Sequence, residues 1–339
     1  MKAQYRNIFF AIGLLAFVLM IVTMKVSFSE LWAHLCNAGW WLVGIFGLWL
    51  VLYALNALTW RIIIRGSGPC PIPFLHLLKL TISGFALNYA TPGGLMGGEP
   101  YKIMELQPWI GVERASSSVL LFGMMHIFAH FWYWITAAVL YLLLLPVGGA
   151  TLLALLFVLL FSGAGVYLFV KGYKHGMVVK FFWFLAKVPG LKKWAAGFVE
   201  RNSEKLAEID SQIAALHGQN KRSFYASFLL EYVGRVAQSF EIFIMLLIFT
   251  DLPATPMTFV YALIILSLTS LFANLLFFLP LQLGGREGGF AMTVGNLGMT
   301  GQVSMSISLL CRVRELFWTA IGLLLIKSFG KKNESIKTK

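Results

Sequence analysis

The chain has 339 residues, 59% of them hydrophobic and 12% charged, with a mean hydropathy of +0.79. That leaves too little polar surface to coat a water-soluble globule of this length, so soluble enzymes are excluded, and so are nucleic-acid partners despite a net charge of +13. The expected class is all-α: a polytopic integral membrane protein.

Six stretches are long and apolar enough to cross a hydrocarbon core of about 30 Å as helices: 8–24, 42–60, 116–145, 151–170, 224–249 and 303–326. The first follows Lys2 and Arg6, but no small-residue cleavage site comes after Met24, so it reads as a retained helix rather than a removed signal. Cys36, Cys70 and Cys311 fall in three separate segments, which argues against a disulfide framework or a metal-ligand spacing.

Basic residues lie on one side of this arrangement. Lys2, Arg6, Arg61, Arg65, Lys102, Arg114, the segment 171–222 and the tail 327–339 share that side, whereas the connections 25–40, 146–150 and 251–256 hold a single lysine between them. By the positive-inside rule the basic side is cytoplasmic, with both termini there, in a multi-pass protein of the cell (inner) membrane.

Two segments do not fit a simple crossing. Asn88-Tyr-Ala-Thr-Pro92-Gly-Gly-Leu-Met-Gly97-Gly98-Glu99-Pro100 interrupts a hydrophobic run with glycines and prolines and places a carboxylate in the break. The pattern of Pro, four residues, Gly, any residue and Glu returns 188 residues later as Pro280-Leu-Gln-Leu-Gly-Gly285-Arg286-Glu287. Segment 74–114 therefore reads as a re-entrant hairpin from the cytoplasm. If 257–279 crossed completely, 290–299 would be too short to cross back and the basic tail would lie outside, so this segment reads as a second re-entrant hairpin, entering from outside. Three crossings separate the hairpins, which makes them inverted relative to one another. Such paired breaks point to a transporter built from inverted repeats around a midplane site. One transmembrane domain of this kind, 1–330, with breaks near 88–100 and 278–289, would be followed by a basic cytoplasmic tail, 331–339.

The remaining polar residues are few. His126 and His130 share a helix face without further ligands that would make a metal site, and the aromatics 131–134 read as packing or interface anchors. Segment 171–222 carries ten Lys or Arg against four Glu or Asp with apolar residues at helical spacing, and reads as an amphipathic helix on anionic lipid headgroups at the cytoplasmic face. Glu231, Arg235 and Glu241 interrupt an apolar span, and Glu231 with Arg235, four apart, suggests an internal ion pair. Arg312, Arg314 and Glu315 sit in the last span. Arg312 and Glu315 can share a face, so exchanging them should preserve a pair.

Glycines at a hairpin tip let backbone N–H groups approach an anion, and the helix that follows adds its positive end. Glu99 and Glu287 can instead neutralise a cationic headgroup, carry a proton or pair with Arg286 and Arg312. The sequence contains no P-loop, nucleophile elbow, zinc-protease or dinucleotide motif, so no catalytic residue, metal ligand or cofactor is expected.

At 91–100 and 279–288, and in the arginine-bearing last helix, the chain resembles the flippase-like family: the transmembrane region of bacterial lysylphosphatidylglycerol synthases and their free-standing relatives. The resemblance covers essentially the whole chain. It implies translocation of a lipid or polyprenyl-linked polar headgroup between leaflets, with the motif glutamates mapping to Glu99 and Glu287. No aminoacyltransferase domain follows Lys339, so synthesis of an aminoacyl lipid is not expected, and Leu281-Gln-Leu stands where a more glycine-rich tip is usual. The candidate substrate-binding residues are Glu99, Glu287, Gly97, Gly98, Gly285, Arg286, Pro92, Pro280, Asn88, Arg312, Glu315 and Arg235. The rival functions are a membrane-embedded enzyme or accessory subunit acting on a lipid-linked phosphate, and a small-solute secondary transporter.

Overall fold

The computed structural model describes residues 38–90, 97–173, 221–275 and 285–337, with a few isolated positions at 10, 11, 36 and between 197 and 211. The expected first span 8–24, the amphipathic segment 171–222 (apart from 171–173, 221–222 and the isolated positions), and Pro92 and Pro280 lie outside the described residues. Within them every regular element is an α-helix: α1 (Trp41–Gly66), α2 (Phe74–Ala90), α3 (Gly98–Ile110), α4 (Val112–Leu144), α5 (Gly149–Tyr173), α6 (Lys221–Phe249), α7 (Pro256–Leu275), α8 (Gly285–Asn296) and α9 (Gly301–Lys337). The chain is a multi-pass, all-helical membrane protein.

Five of these helices are long and apolar enough to cross a bilayer: α1, α4, α5, α6 and α7. This differs from the expected set at two places. α7, assigned by sequence to a hairpin, has 20 residues and passes on length and hydropathy. α9, expected to be an ordinary span, has 37 residues but concentrates Arg312, Arg314 and Glu315 in its apolar stretch. Each such charge costs about 2.5–3.5 kcal/mol at a helix centre facing lipid, which compels α9 to turn them inward. It does so: all three are buried.

Each break separates a longer helix from a short one. The first pair is α2 (17 residues) and α3 (13), the second α7 (20) and α8 (12). At 1.5 Å per residue α3 and α8 are only about 18–20 Å long, short of a bilayer core. In both pairs the two helices pack on one another, and α9 runs against α2 and α8 alike. The approach to α2 is close, because a side chain at Gly322 would meet Ala86 and the Ile82 carbonyl.

The buried apolar residues form two clusters rather than one. The first gathers the early part of α1, the late part of α4, and α6 to α8 with the first half of α9: Ile45, Tyr133, Met245, Ile264, Phe290 and Ile307 are representative. The second gathers the end of α1, α2, α3, the early part of α4 and the later part of α9: Trp60, Leu80, Tyr101, Met125 and Ile326. One hairpin lies in each. Along α4 the change from one cluster to the other falls between Phe128 and Phe131, beside His130, and along α6 between Phe228 and Tyr232, at Glu231; along α9 it falls later, after Trp318. His126, His130 and Glu231 thus lie where the two apolar cores meet, whereas Glu241, Arg312, Arg314 and Glu315 lie within the first, and in both places the buried charges find one another instead of lipid.

Candidate functional site

The first break is closed by its own hairpin. Asn88, in the last turn of α2, holds the start of α3 with both ends of its amide: Oδ1 accepts from the Gly98 backbone N–H at 2.8 Å, and Nδ2 donates to Glu99 Oε1 at 3.3 Å. The same carboxylate oxygen accepts from Lys102 Nζ, one turn further on, at 3.2 Å. Lys102 is buried, and its ammonium stands over the rings of Trp60 and Phe122 at 5.7 and 5.5 Å. This packing needs glycine on both helices. A Cβ on Gly98 would collide with the Gly84 carbonyl and the Asn88 amide, and one on Gly84 with the Lys102 methylenes. Gly97 caps α3 without a side-chain bond and is buried with Gly98. Glu99 lies in the first turn of α3, where the positive end of the helix favours a carboxylate. Its side chain is 32% exposed, and Oε2 has no hydrogen-bond partner among the described residues.

The second break is closed from elsewhere. Gly285 is buried as the first residue of α8, and Arg286 and Glu287 follow in its first turn. Arg286 pairs with Glu315 of α9. Glu287 Oε1 accepts from Arg312 at two nitrogens, NH2 at 2.7 Å and Nε at 3.3 Å. Arg312 also donates through NH1 to the Tyr89 hydroxyl at 2.8 Å, and that hydroxyl donates in turn to Glu315. Below this, Arg314 grips Glu241 of α6 with two bonds, 2.8 and 3.2 Å, while its guanidinium stacks 3.8 Å over the Trp49 ring. Three arginines and three glutamates balance, and all are buried except Arg286 and Glu287. At 40% exposure, the Glu287 side chain is the most accessible charge in this cluster among those whose ion pairs are given.

Tyr89 joins the two sites. It follows Asn88, which holds Glu99, and reaches 223 residues along the chain to Arg312, which holds Glu287. In both places the motif glutamate is the accessible member of an ion pair whose cation is buried, with side chains 6% exposed for Lys102 and Arg312 alike.

A third polar group lies between α4 and α6. His126 Nδ1 is 2.9 Å from Glu231 Oε2, and Arg235 donates to the same imidazole as well as to Gln238 Oε1 at 3.0 Å. The expected direct Glu231 to Arg235 pair is therefore replaced by one in which His126 stands between them. Helical spacing put both residues on one face, and that face meets α4, which supplies the ring. His130 Nδ1 contacts the His126 carbonyl at 2.9 Å, and its ring meets the His126 ring edge to face. Arg235 belongs here and not with Glu287.

Of the proposed site residues, the structure groups Asn88, Gly97, Gly98 and Glu99 at one break, and Gly285, Arg286, Glu287, Arg312 and Glu315 at the other. The expected Arg312 to Glu315 pair is the weakest of its set: 3.8 Å, against 2.7 Å from Arg312 to Glu287. α9 turns one face toward α8, so the arginine meets the exposed acid there first. Sequence reasoning missed Tyr89, Lys102, Glu241 and Arg314 as parts of the site. Tyr89 was visible beside Asn88 in the first motif, and Glu241 and Arg314 as unpaired intramembrane charges of opposite sign. No group of three or more His, Cys, Asp or Glu able to hold a metal ion occurs among the described residues.

A family model described as the lysylphosphatidylglycerol synthase TM region matches residues 8–322. No curated protein and no solved structure matches the chain.

Proposed function

Because the chain belongs to the family of lysylphosphatidylglycerol synthase transmembrane regions, membrane proteins linked to lipid handling, we propose that it translocates a lipid or polyprenyl-linked polar headgroup between the leaflets of the inner membrane, without altering it covalently. The observation that carries this reading is the convergence of both breaks. Two glycine-bearing helix starts, each with a partly exposed glutamate, are linked through Tyr89, which follows the Asn88 that holds Glu99 and bonds the Arg312 that holds Glu287. Such groups are expensive in a membrane and are kept there for polar cargo. Glu99 and Glu287 offer negative charge, the helix starts offer backbone N–H groups, and the lipid tails can stay outside while the headgroup passes.

In this reading the hairpins are re-entrant and inverted, and both termini are cytoplasmic. The membrane lipid is the partner, anionic headgroups hold the segment 171–222, and neither nucleic acid nor a cofactor takes part. The short α3 and α8 and the placing of one hairpin in each core support the inverted arrangement. Its orientation is open to labelling, since Cys36 is exposed and Cys70 partly so. In intact spheroplasts an impermeant maleimide should modify a variant retaining only Cys36, and a variant retaining only Cys70 only after permeabilisation. The reverse order would overturn the orientation.

The function itself is tested by reconstitution. Lipids that co-purify with the protein, identified by mass spectrometry, should cross the bilayer of proteoliposomes faster than in protein-free vesicles and emerge chemically unchanged. A covalently altered lipid would instead establish the enzyme reading.

A further inference from the structure

The His126, Glu231 and Arg235 group is not used by the headgroup site, and its geometry is specific. The Glu231 side chain is 2% exposed, one oxygen bonds His126 Nδ1 at 2.9 Å, and the other, Oε1, has no hydrogen-bond partner among the described residues. An arginine only donates, and Arg235 NH2 lies against both ring nitrogens of His126, 2.9 Å from Nδ1 and closer still to Nε2. A guanidinium against the ring keeps His126 neutral, with Nδ1 the nitrogen that meets the Glu231 carboxylate. A second proton on the ring would set N–H against N–H of Arg235. The next proton to enter the group therefore has one place to go, the vacant lone pairs of Glu231 Oε1.

Access and consequence are both visible. The His126 side chain is 39% exposed, whereas the Glu231 carboxylate behind it is buried. Of the cations near Glu231, Arg235 lies on its own helix, and Lys102 of α3 stands over the Phe122 ring, which in turn meets the His126 ring. From α4 Glu231 faces His126 and His130. α9 brings Arg314, committed to Glu241, α1 carries Arg61 and Arg65 toward its end, and α7 has no charged residue. Lys102 is also the cation that holds Glu99. When Glu231 is ionised, Lys102 is drawn by two acids; when Glu231 is neutral, it is left to Glu99 alone.

From this arrangement we infer that Glu231, oriented by His126, is a proton-binding site whose occupancy is transmitted through Lys102 to Glu99. A proton gradient is thereby coupled to headgroup movement. The proton adds to Glu231 Oε1 and leaves from the same atom, and no other bond forms or breaks. The coupling rests on the transport reading above, whereas the proton site does not.

Two measurements on the full-length protein separate them. Isotope-edited infrared spectra in nanodiscs across a pH series should show a protonated carboxyl band that is present in the parent, absent from Glu231→Gln, and moved along the pH axis in His126→Gln, which keeps Glu231 in place should the first variant fold poorly. An unchanged band in both variants would overturn the site. In proteoliposomes the parent should move co-purified lipid faster, by about tenfold, under one direction of pH gradient than without a gradient, and Glu231→Gln should lose that dependence. Equal parental rates with and without the gradient would overturn the coupling and leave transport standing. No lipid movement by a parent that still shows the band would overturn transport instead.

Discussion

The two breaks carry the same residue pattern but are closed in different ways. At the first, every group that holds the motif glutamate belongs to the hairpin itself: Asn88 on α2, Lys102 three residues along α3. At the second, the glutamate is held by Arg312 of α9, and the arginine beside it by Glu315 of the same helix. The first hairpin can thus keep its carboxylate in place while it shifts as a unit. The second is defined only with α9 in register, and α9 is in turn tied to α2 through Tyr89. If the first hairpin moves during transport, its Glu99 site moves with it intact, whereas the Tyr89 bonds and the close packing of α2 on α9 at Gly322 have to give.

This contrast sets the order of expected losses. Arg314→Ala should be the most damaging change. Arg314 and Glu241 have side chains 2% and 0% exposed, and removing one leaves the other an uncompensated buried charge, at a cost of about 3–5 kcal/mol. Lys102→Ala should cost less, because Glu99 is partly exposed and water can replace the lost partner. Thermal unfolding of the purified variants in detergent will rank the two, and equal losses would erase the distinction between a closed and an accessible site.

Next in size is the exchange Arg312→Glu with Glu315→Arg. A direct pair would survive it. Here the exchange puts an acid against Glu287 and a base against Arg286, so its melting temperature should fall well below that of the parent. Retention of the parental melting temperature would restore the simple pair expected from their spacing.

Glycine substitutions give a smaller contrast. Gly98→Ala drives a Cβ into the Gly84 carbonyl and the Asn88 amide, and overpacking of this kind costs about 1–3 kcal/mol. Gly288→Ala in α8 meets open space and should be neutral or slightly stabilising, by up to about 1 kcal/mol. Chemical denaturation of both variants checks this. Tyr89→Phe should cost about 1 kcal/mol for the lost hydroxyl bonds. Its effect on transport should be larger than its effect on melting, since it unlinks the hairpins without disturbing either glutamate.

Much of this was legible in the sequence because it depends on local rules. Hydropathy runs gave α1, α4, α5 and α6 to within a few residues, and the repeated Pro, Gly and Glu spacing located both short helices, α3 and α8. Buried charge in an apolar run marked α6 and α9 as inward-facing. What was not legible was partnership across the chain. Spacing of four put Glu231 and Arg235 on one face but could not show that His126, 105 residues away from Glu231, would fill the gap between them. Glu241 and Arg314 are 73 residues apart and pair only because α6 packs on α9. α7 was assigned to a re-entrant hairpin through the charge of the tail, because its 20 residues are by themselves long and apolar enough to cross.

The measurement that bears most directly on the central claim is headgroup translocation by Glu99→Gln and Glu287→Gln beside the parent, in proteoliposomes carrying equal amounts of folded protein. Gln keeps the shape and removes the charge that both breaks present. Each variant should still insert and fold, at a somewhat lower melting temperature because Lys102 or Arg312 is left buried without its acid, yet move the lipid far more slowly, and the lipid should be chemically unchanged in all three. Parental rates in both variants would contradict the claim that the two motif glutamates form the headgroup path.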